Sequence, residues 1–371
     1  MNRLVSTKNN TIPSICQKDE SKEIQTQKEI EYCYLDKNEN PYPMPSDISS
    51  MTIINFQLQK YPDSCYTKLT EELAKKFDVP STNFILTSGS DELIDLIFRG
   101  LIKPKGSILT IEPTFQMYKS LSKLNLINIK TIEARTKETN EVLLQQSICQ
   151  KSLFSKLKTV SAIILARPNN PDGQTIDEDM LLSLLESKKF VIIDEAYIDF
   201  SDSVSAIKYL KEFDNLLILR TFSKTHSCAG LRLGYGIMER ENCQRLTKMK
   251  LPYNVNSVAS ELGSILLENE EIKQNILRIK RTRKLFEAQL TALAEKCKSF
   301  KFFPSEANFV LLRFDTKSVL KRVQLSFLRS DIFVRSFEEP KLNNFLRISI
   351  GTESQMERVC NTLNEALENK K

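Results

Sequence analysis

The feature that most constrains the fold is a regular alternation, between residues 84 and 219, of short apolar runs and longer amphipathic segments. The apolar runs cover residues 84–87, 107–111, 126–132, 162–165, 191–193 and 216–219. The segments between them predict helices, among them helices around residues 143–157 and 204–213. Strands that are apolar throughout are typical of a parallel sheet covered by helices on both faces. The pattern therefore predicts an α/β fold with a mainly parallel sheet, whose ligands bind outside the carboxyl ends of the strands.

Length and pattern together predict two lobes. The chain has 371 residues, and single cores stop growing at roughly 250–300 residues. We assign residues 51–264 to a large domain, and residues 31–50 together with 265–371 to a smaller α+β domain, because long helices replace the alternation after residue 239. Residues 1–30 are charged and unpatterned, which indicates a flexible tail or an arm that orders against a partner.

Composition argues against several classes of protein. Hydrophobic residues make up 41% of the chain and charged residues 27%, as in ordinary globular proteins. The formal charge of +6 is spread among alternating acids and bases, so no nucleic-acid partner is expected. Eight scattered cysteines without a C-x-x-C pair, and a single histidine, predict reduced thiols and no metal site. No apolar stretch approaches the length of a membrane span, and we expect a cytoplasmic protein without a membrane partner.

One lysine stands just beyond the last of these apolar runs. Lys224 follows residues 216–219 and an Arg-Thr-Phe-Ser segment, with Ser223 directly before it and Arg232 eight residues later. A lysine held at the end of a buried strand loses solvent, which favours the neutral amine that can form a Schiff base. Taken alone, a solvated loop lysine is the commoner interpretation, and the neighbouring motifs decide between the two.

Polar residues also follow three other predicted strands. Residues 84–87 run into Ser90 and Asp91 at the start of a predicted helix. The free backbone N–H groups of such a helix start attract a phosphate, and a plain capped helix is the alternative interpretation. Asn170, which precedes a proline, follows the strand at 162–165. Asp194 closes the strand at 191–193, and Tyr197 comes three residues later. A turn or a helix cap explains each of these residues taken singly.

Ten short motifs, which follow one another in a fixed order along the chain, allow these residues to be interpreted together. They are Asn-Glu-Asn-Pro-Tyr (38–42), Tyr-Pro-Asp (61–63), Gly-Ser-Asp-Glu (89–92), Glu-Pro-Thr-Phe-Gln-Met-Tyr (112–118), Pro-Asn-Asn-Pro-Asp-Gly (168–173), Asp-Glu-Ala-Tyr (194–197), Arg-Thr-Phe-Ser-Lys (220–224), Ala-Gly-Leu-Arg-Leu-Gly-Tyr (229–235), Pro-Ser-Glu-Ala-Asn-Phe-Val-Leu (304–311) and Leu-Arg-Ile-Ser-Ile-Gly-Thr (346–352). From about residue 31 to the end, the chain resembles the histidinol-phosphate aminotransferases, a branch of the fold-type I pyridoxal-phosphate enzymes. The resemblance implies a mainly parallel, seven-stranded sheet and pyridoxal 5'-phosphate as cofactor.

The resemblance assigns four residues to the ring of the cofactor. Asp194 is expected to hold the ring nitrogen protonated, which lets the cofactor act as an electron sink. Tyr197 and Asn170 are expected to contact the phenolate oxygen. Phe115 occupies the family position of an aromatic side chain that lies over the pyridine ring.

The resemblance also assigns residues to the cofactor phosphate. The helix start at Ser90 and Asp91 is expected to supply backbone N–H groups, and Ser223 a hydroxyl. Arg232 is expected to supply the cation. Tyr61 is similar to the residue that reaches the phosphate of a neighbouring subunit, which implies a homodimer with shared active sites.

The resemblance gives catalysis to one residue and substrate binding to two. Lys224 is expected to hold the cofactor as a Schiff base and then to act as the general base. Arg335 and Arg347 are expected to receive the acidic group of the substrate, since a guanidinium binds a carboxylate or phosphate through two parallel hydrogen bonds.

Departures from the family pattern concern the substrate side. Pro43 stands where glycine is common, Asp172 where threonine is common, Arg167 where a small residue is usual, and His226 at an aromatic position. A long polar tail also replaces the short Pro-Tyr arm of the family. We interpret His226 as a packing residue rather than a catalytic one.

The resemblance thus predicts an aminotransferase that acts on small amino acids and oxo acids. Histidinol phosphate with the pair 2-oxoglutarate and glutamate is the first expectation. An aromatic amino acid aminotransferase, a specialised-pathway aminotransferase and a phosphothreonine-type decarboxylase are the alternatives that use the same cofactor. A binding or structural protein without turnover is disfavoured, because Lys224, Asp194 and both arginines are all present.

Overall fold

The computed structural model describes residues 32–49, 57–133 and 150–368, so the predicted tail at 1–30 and the start of the predicted helix near residue 143 lie outside the described residues. The strands are β1 (Cys33–Leu35), β2 (Phe84–Thr87), β3 (Ser107–Glu112), β4 (Asn128–Glu133), β5 (Ala162–Ala166), β6 (Phe190–Asp194), β7 (Leu216–Thr221), β8 (Gly234–Met238), β9 (Phe300–Phe303), β10 (Phe309–Phe314), β11 (Ile332–Ser336) and β12 (Phe345–Ser349). The helices are α1 (Ser46–Ser49), α2 (Thr67–Phe77), α3 (Ser90–Leu101), α4 (Met117–Leu124), α5 (Gln150–Leu157), α6 (Glu178–Leu185), α7 (Phe222–Thr225), α8 (Arg240–Thr247), α9 (Ser257–Leu266), α10 (Glu270–Cys297), α11 (Lys317–Arg329) and α12 (Glu353–Glu368). In these three ranges, no helix is both long and apolar enough to cross a bilayer.

The larger sheet has seven strands in the order β2-β8-β7-β6-β5-β3-β4. Strands β4, β3, β5, β6 and β7 pair in parallel, whereas β8 runs antiparallel to both β7 and β2. All residues of β5 and β7 are buried, as expected for strands covered on both faces. The predicted α/β fold with a mainly parallel sheet is confirmed. Strand β8 was not predicted, because Gly234 and Gly236 interrupt its apolar pattern.

A second sheet of five strands has the order β1-β11-β12-β10-β9. Strand β1 pairs in parallel with β11, and Cys33 lies opposite Ile332, so residues from the start of the described chain join those near its end. Helices α10, α11 and α12 pack on this sheet around a separate core that includes Phe286, Phe309 and Leu363. The predicted boundaries at residues 51 and 264 stay predictions.

Two local expectations were wrong. The helix predicted around residues 204–213 is only a short 3-10 turn at Ala206–Tyr209. Its start is tied to a buried carboxylate instead: the Ser205 hydroxyl and the Ala206 N–H donate to Glu195 at 2.6 and 2.7 Å. In addition, Lys224 lies in the helical turn α7 rather than in an irregular loop, because the Thr221 side chain caps this turn by accepting from the Ser223 N–H.

Candidate active site

Two adjoining cavities lie at the carboxyl ends of the parallel strands. The inner cavity measures about 120 Å³ and the outer cavity about 330 Å³. Nine of the residues predicted from the sequence line the inner cavity, namely Ser90, Asp91, Phe115, Asn170, Asp194, Tyr197, Ser223, Lys224 and Arg232. The outer cavity contains Arg335 and Arg347 and shares four of these residues, among them Lys224. The lysine therefore stands where the two cavities meet.

The turn that carries Lys224 is held by residues from the start of the described chain. The Lys224 amine donates to the carbonyl oxygen of Lys37 at 2.9 Å and lies 5.9 Å from the centre of the Tyr197 ring. The Asn40 side chain donates to the carbonyl oxygens of Lys224 and Thr225 at 3.3 and 3.1 Å. Sequence reasoning quoted the Asn-Glu-Asn-Pro-Tyr motif but gave Asn40 no role.

Asp194 lies buried at the end of β6. Its Oδ2 accepts a hydrogen bond from the Tyr118 hydroxyl at 2.8 Å, and its Oδ1 accepts one from the Ala196 N–H at 3.1 Å. Burial raises the pKa of Asp194 to about 6, and the like charges of Asp91 and Glu195 act in the same direction. This carboxylate is poorly solvated, so an arriving cationic group would be favoured beside it.

Tyr197 and Asn170 face the cavities with their polar groups already engaged. The Tyr197 hydroxyl accepts from the Asn38 side chain at 3.1 Å, and Asn38 is itself buried. The Asn170 Oδ1 accepts from the Arg347 guanidinium. Because its oxygen is occupied, the amide nitrogen of Asn170 is the group left to donate to a ligand.

The start of α3 is shaped to receive an anion. Gly89, at φ +80°, precedes the helix, and no side chain caps its first turn. Arg232 lies directly over this turn, since a Cβ at Gly89 would come within 2.7 Å of its Nη2 atom. Gly234 allows strand β8 to approach equally closely, because a Cβ there would lie 2.6 Å from the Ser90 nitrogen. Uncapped N–H groups beside a guanidinium form a phosphate site.

Two further predicted residues complete the inner cavity. Ser223 is buried, and its hydroxyl accepts from Thr221 Oγ1 at 3.1 Å. Phe115 is half-buried and packs edge-on against Tyr118, with ring centres 5.6 Å apart. The same contact therefore links a predicted ring-stacking residue to the tyrosine that binds Asp194.

The two arginines of the outer cavity lie opposite each other on β11 and β12, but their surroundings differ. Arg347 is buried, donates to the Asp36 carbonyl oxygen at 2.8 Å and lies over the Phe309 ring at 5.3 Å. Burial lowers the pKa of Arg347 to about 10, and the like charge of Arg335 contributes. Among the described residues, its Nε has no hydrogen-bond partner. Arg335 is exposed.

A charged group that sequence reasoning missed lies on the opposite wall of the outer cavity. Glu112 closes β3, is buried, and forms ion pairs with Lys119 and with Lys341, the latter at 3.5 Å. Lys341 follows β11, so this pair joins the two sheets across the cavity. A carboxylate at the end of an apolar strand was the signal that pointed to Asp194, and it would have found Glu112 as well.

Asp172 and Arg167, two of the residues that depart from the family pattern, are buried and stabilise the local structure. Asp172 accepts from the Asn169 side chain at 2.9 Å and from the Gln174 N–H at 3.2 Å, which fixes the turn after β5. Burial raises the pKa of Asp172 to about 6. Arg167 is buried and donates to the Val204 carbonyl oxygen at 2.8 Å.

His226 is a packing residue, as predicted. Its ring is buried, lies 4.4 Å from the centre of the Phe222 ring, and contacts the Thr225 hydroxyl through Nδ1 at 2.8 Å. Burial lowers the pKa of His226 to about 4. It lines neither of the two cavities. Pro43 is exposed.

Tyr61 lies apart from both cavities. It is 80% exposed and stacks on Tyr253 with ring centres 4.6 Å apart. Within one chain it therefore lines neither the inner nor the outer cavity.

The donor set of the inner cavity fits pyridoxal phosphate. A buried carboxylate suits a protonated ring nitrogen, and the uncapped start of α3 beside Arg232 suits a phosphate. The Lys224 amine lies between these groups and the outer cavity, where an aldehyde carbon of the cofactor would meet a substrate. The Asp91 carboxylate is the exception, since it lies 3.5 Å from the Arg232 guanidinium and carries the same sign of charge as a phosphate.

Comparison with known proteins gives the same result. Residues 32–363 match the family model described as aminotransferase class I and II. A histidinol-phosphate aminotransferase of Christiangramia forsetii is 36% identical over 91% of each chain, and the chloroplastic one of Nicotiana plumbaginifolia is 31% identical over 89% of this chain and 78% of its own. The crystal structure of the histidinol-phosphate aminotransferase from Clostridium acetobutylicum superposes with a TM-score of 0.79 at 26% identity, covering 91% of this chain and 99% of its own. The chain therefore belongs to the aminotransferase class I and II family and is a pyridoxal-phosphate-dependent aminotransferase.

Proposed function

We propose that the enzyme exchanges an amino group between histidinol phosphate and 2-oxoglutarate. The observation that carries this proposal is the buried guanidinium of Arg347 in the same cavity as the Lys224 amine. Histidinol phosphate carries an acidic group at one end, and 2-oxoglutarate carries one at each end, so a single cationic site serves both. The relatives named as histidinol-phosphate aminotransferases support this choice of substrate.

Within this proposal, Asp194, Tyr197 and Asn170 orient the cofactor ring. The ionised Asp194 would neutralise the protonated ring nitrogen. Because burial raises the pKa of Asp194, this cation beside it would lower that pKa again. Tyr197 and Asn170 would donate to the phenolate oxygen, and Phe115 would cover one ring face, since all three side chains line the inner cavity. The bound cofactor supplies an electron sink for the charge that develops at the substrate Cα.

The phosphate of the cofactor would be held at the start of α3. Ser90 and Asp91 provide backbone N–H groups, Ser223 provides a hydroxyl and Arg232 provides the cation. Close packing at Gly89 fixes this end of the cavity, which would therefore anchor the phosphate.

Lys224 would both hold the cofactor covalently and move the proton. As a free amine, its Nζ would accept the proton from the substrate Cα and would donate that proton to the cofactor side of the same bond system, acting as a general base and then as a general acid. Its position at the boundary of the two cavities places it between cofactor and substrate.

Arg347 and Arg335 would bind the acidic group of the substrate. Arg347 is oriented by Asn170 and the Asp36 carbonyl oxygen, so its planar guanidinium is fixed before substrate arrives. Arg335 lies further out and exposed, where it attracts anions into the cavity.

The enzyme would act as a homodimer with shared active sites. Tyr61 and Tyr253 are exposed and stacked, and Leu58 and Leu251 beside them are 56% and 71% exposed, which is typical of a surface covered by a second subunit. Mixing Lys224→Ala with Tyr61→Ala protein tests this, because a hybrid dimer has one site with both residues intact. The mixture should exceed the summed activity of the two variants, whereas equality would refute shared sites.

The compartment would be the cytoplasm. Five of the described cysteines, Cys65, Cys228, Cys243, Cys297 and Cys360, are in no disulfide, and Cys228 and Cys243 are buried. Burial raises the pKa of the Cys228 thiol to about 12, which keeps it unreactive. Thiols in this state are typical of a reducing compartment. Labelling of unfolded protein taken directly from cells should find all of these thiols free.

A substrate panel tests the proposed reaction. The holoenzyme is mixed with 2-oxoglutarate and either histidinol phosphate, phenylalanine or phosphothreonine, and glutamate and carbon dioxide are measured. We expect glutamate from histidinol phosphate, no activity in Lys224→Ala, and unchanged activity in Lys211→Ala, a surface lysine paired with Asp78. Glutamate from phenylalanine alone would make the enzyme an aromatic aminotransferase, and carbon dioxide from phosphothreonine would make it a decarboxylase.

A further inference from the structure

Tyr118 is a buried tyrosine whose hydroxyl touches the carboxylate at the base of the inner cavity. It is fully buried on α4, and its hydroxyl donates to Asp194 Oδ2 at 2.8 Å. It does not line either cavity itself. It therefore acts on any ligand through Asp194.

The surroundings of Asp194 explain why this donor matters. Among the described residues, its carboxylate accepts hydrogen bonds from two neutral groups, the Tyr118 hydroxyl and the Ala196 N–H. The charged side chains that act on it most strongly, Asp91 and Glu195, have the same sign and oppose its ionisation. Hydrogen bonds to an ionised group are the strong ones, so a large part of what keeps Asp194 ionised before the cofactor binds comes from Tyr118.

Helix α4 also couples this donor to the cofactor ring. Phe115 precedes the helix and packs edge-on against Tyr118, with ring planes at 88°. The residue over the ring and the residue behind the ring's carboxylate therefore support each other.

We propose that Tyr118 is a positioning residue, which orients the Asp194 carboxylate towards the cofactor's ring nitrogen and keeps the shared proton on that nitrogen. This inference rests on the proposed role of Asp194. Hydrogen-bond donation makes the carboxylate a weaker base, so the proton stays on the ring. Without the hydroxyl, the proton moves towards Asp194, and the ring loses the positive charge that makes it an electron sink.

The Tyr118→Phe holoenzyme tests the inference, because it keeps the packing and removes one oxygen. We expect kcat to fall roughly ten- to a hundredfold, the size of a lost hydrogen bond to a charged group, with little change in KM for 2-oxoglutarate. Added pyridoxal phosphate should bind more weakly, as measured by titrating its visible absorption. The pH midpoint of that absorption should rise, since less positive charge on the ring favours protonation nearby.

Tyr66→Phe is the matched control. Tyr66 is also buried, and its hydroxyl bonds Asn254 and the Val255 N–H, but it lines neither the inner nor the outer cavity. The Tyr66→Phe variant should be less stable than the wild type, but the pH midpoint of its visible absorption should not change. A Tyr118→Phe enzyme with the same midpoint, cofactor affinity and kcat as Tyr66→Phe would overturn the inference.

A double-mutant cycle with Asp194→Asn separates positioning from a general loss of structure. If Tyr118 acts through Asp194, removing its hydroxyl in the Asp194→Asn background should have almost no further effect on cofactor affinity. An equal loss in both backgrounds would overturn the inference. A wild-type protein without visible absorption on adding pyridoxal phosphate would instead refute the proposed function, and this inference with it.

Discussion

The inner and outer cavities are built in opposite ways. In the part of the chain that the structure describes, the lining of the inner cavity comes from residues 90–232, at the strand ends and helix starts of the seven-stranded sheet. The outer cavity takes one wall from that sheet, at Glu112 and Phe115, and the other from the five-stranded sheet, at Arg335 and Arg347. Among the described residues of one chain, the inner cavity is therefore lined by one sheet and its helices, whereas the outer cavity exists only while the two sheets are held together.

The two cavities also hold desolvated charges of opposite sign. Asp194 in the inner cavity has its pKa raised to about 6 by burial, and Arg347 in the outer cavity has its pKa lowered to about 10 for the same reason. Each buried charge is unfavourable until a ligand of opposite charge arrives. The pair thus selects a cationic ring on the inside and an anionic group on the outside, and removing either charge should have distinct kinetic effects.

The largest loss of activity is expected when the charge of Asp194 in the inner cavity is removed. Asp194→Asn should lower kcat of the holoenzyme about 100- to 1,000-fold, the typical cost of removing one partner of a buried ion pair, with KM for 2-oxoglutarate nearly unchanged. Steady-state kinetics at saturating cofactor measure this. A rise in KM with kcat preserved would mean that Asp194 binds substrate and that the two cavities are not separate in function.

The same variant should melt at a higher temperature without cofactor. A carboxyl group whose folded pKa is raised destabilises the fold above that pKa, and the penalty disappears as pH falls towards its usual value of 3.8. The apo variant should therefore be more stable than the wild type at pH 7, by roughly 2–3 kcal/mol, and equal to it near pH 4. Lower stability at pH 7 would show that the hydrogen bonds of Asp194 outweigh its desolvation.

A smaller loss of activity is expected when a charge of the outer cavity is removed. The loss should differ between Arg347 and Arg335, which lie opposite each other on neighbouring strands. Arg347→Gln should lower kcat/KM roughly 30- to 1,000-fold, because it removes a buried, hydrogen-bonded charge. Arg335→Gln should lower it about fivefold at most, because exposed charges contribute little and are screened by salt. Both losses should lie mainly in KM for histidinol phosphate and 2-oxoglutarate.

Salt provides the control for this pair of variants. Raising ionic strength should weaken the wild type and Arg347→Gln, while Arg335→Gln should respond less, since its exposed charge is already gone. Equal losses in the two variants would indicate that the outer cavity closes further on substrate binding and buries Arg335 as well.

The inner cavity was largely predictable from the sequence, because its residues follow apolar strands whose ends meet at one edge of the sheet. Asp194, Asn170 and Lys224 each come directly or shortly after such a run, and the fold brings them together. Tyr61 was predicted from the resemblance and lies outside the cavity in a single subunit, so its role stays a prediction. The strand order was not predicted, and the antiparallel strand β8 was missed because its glycines interrupt the apolar pattern.

Contacts between distant segments could not be predicted. Asn38 binds the hydroxyl of Tyr197 across 159 residues, and no local pattern marks that pairing. Tyr118 falls on the buried face of a helix, where an aromatic residue indicates core packing rather than a hydrogen bond to a carboxylate. Such contacts arise from how helices lie against the sheet, which short-range periodicity does not specify.

The smallest effect on activity is expected at His226, which lies against Phe222 outside both cavities. Burial lowers the pKa of His226 to about 4 from its usual value of 6.5, so between these values the unfolded chain binds a proton that the folded chain does not. The wild type should lose stability from this source as pH falls from about 6.5 to 4, by roughly 3 kcal/mol in all. His226→Phe keeps the stacking and should lose less stability over that window, as urea unfolding at pH 7, 5.5 and 4.5 would show. Its kcat at pH 7.5 should equal that of the wild type, and a fall of more than about threefold would place His226 among the residues that support the inner cavity.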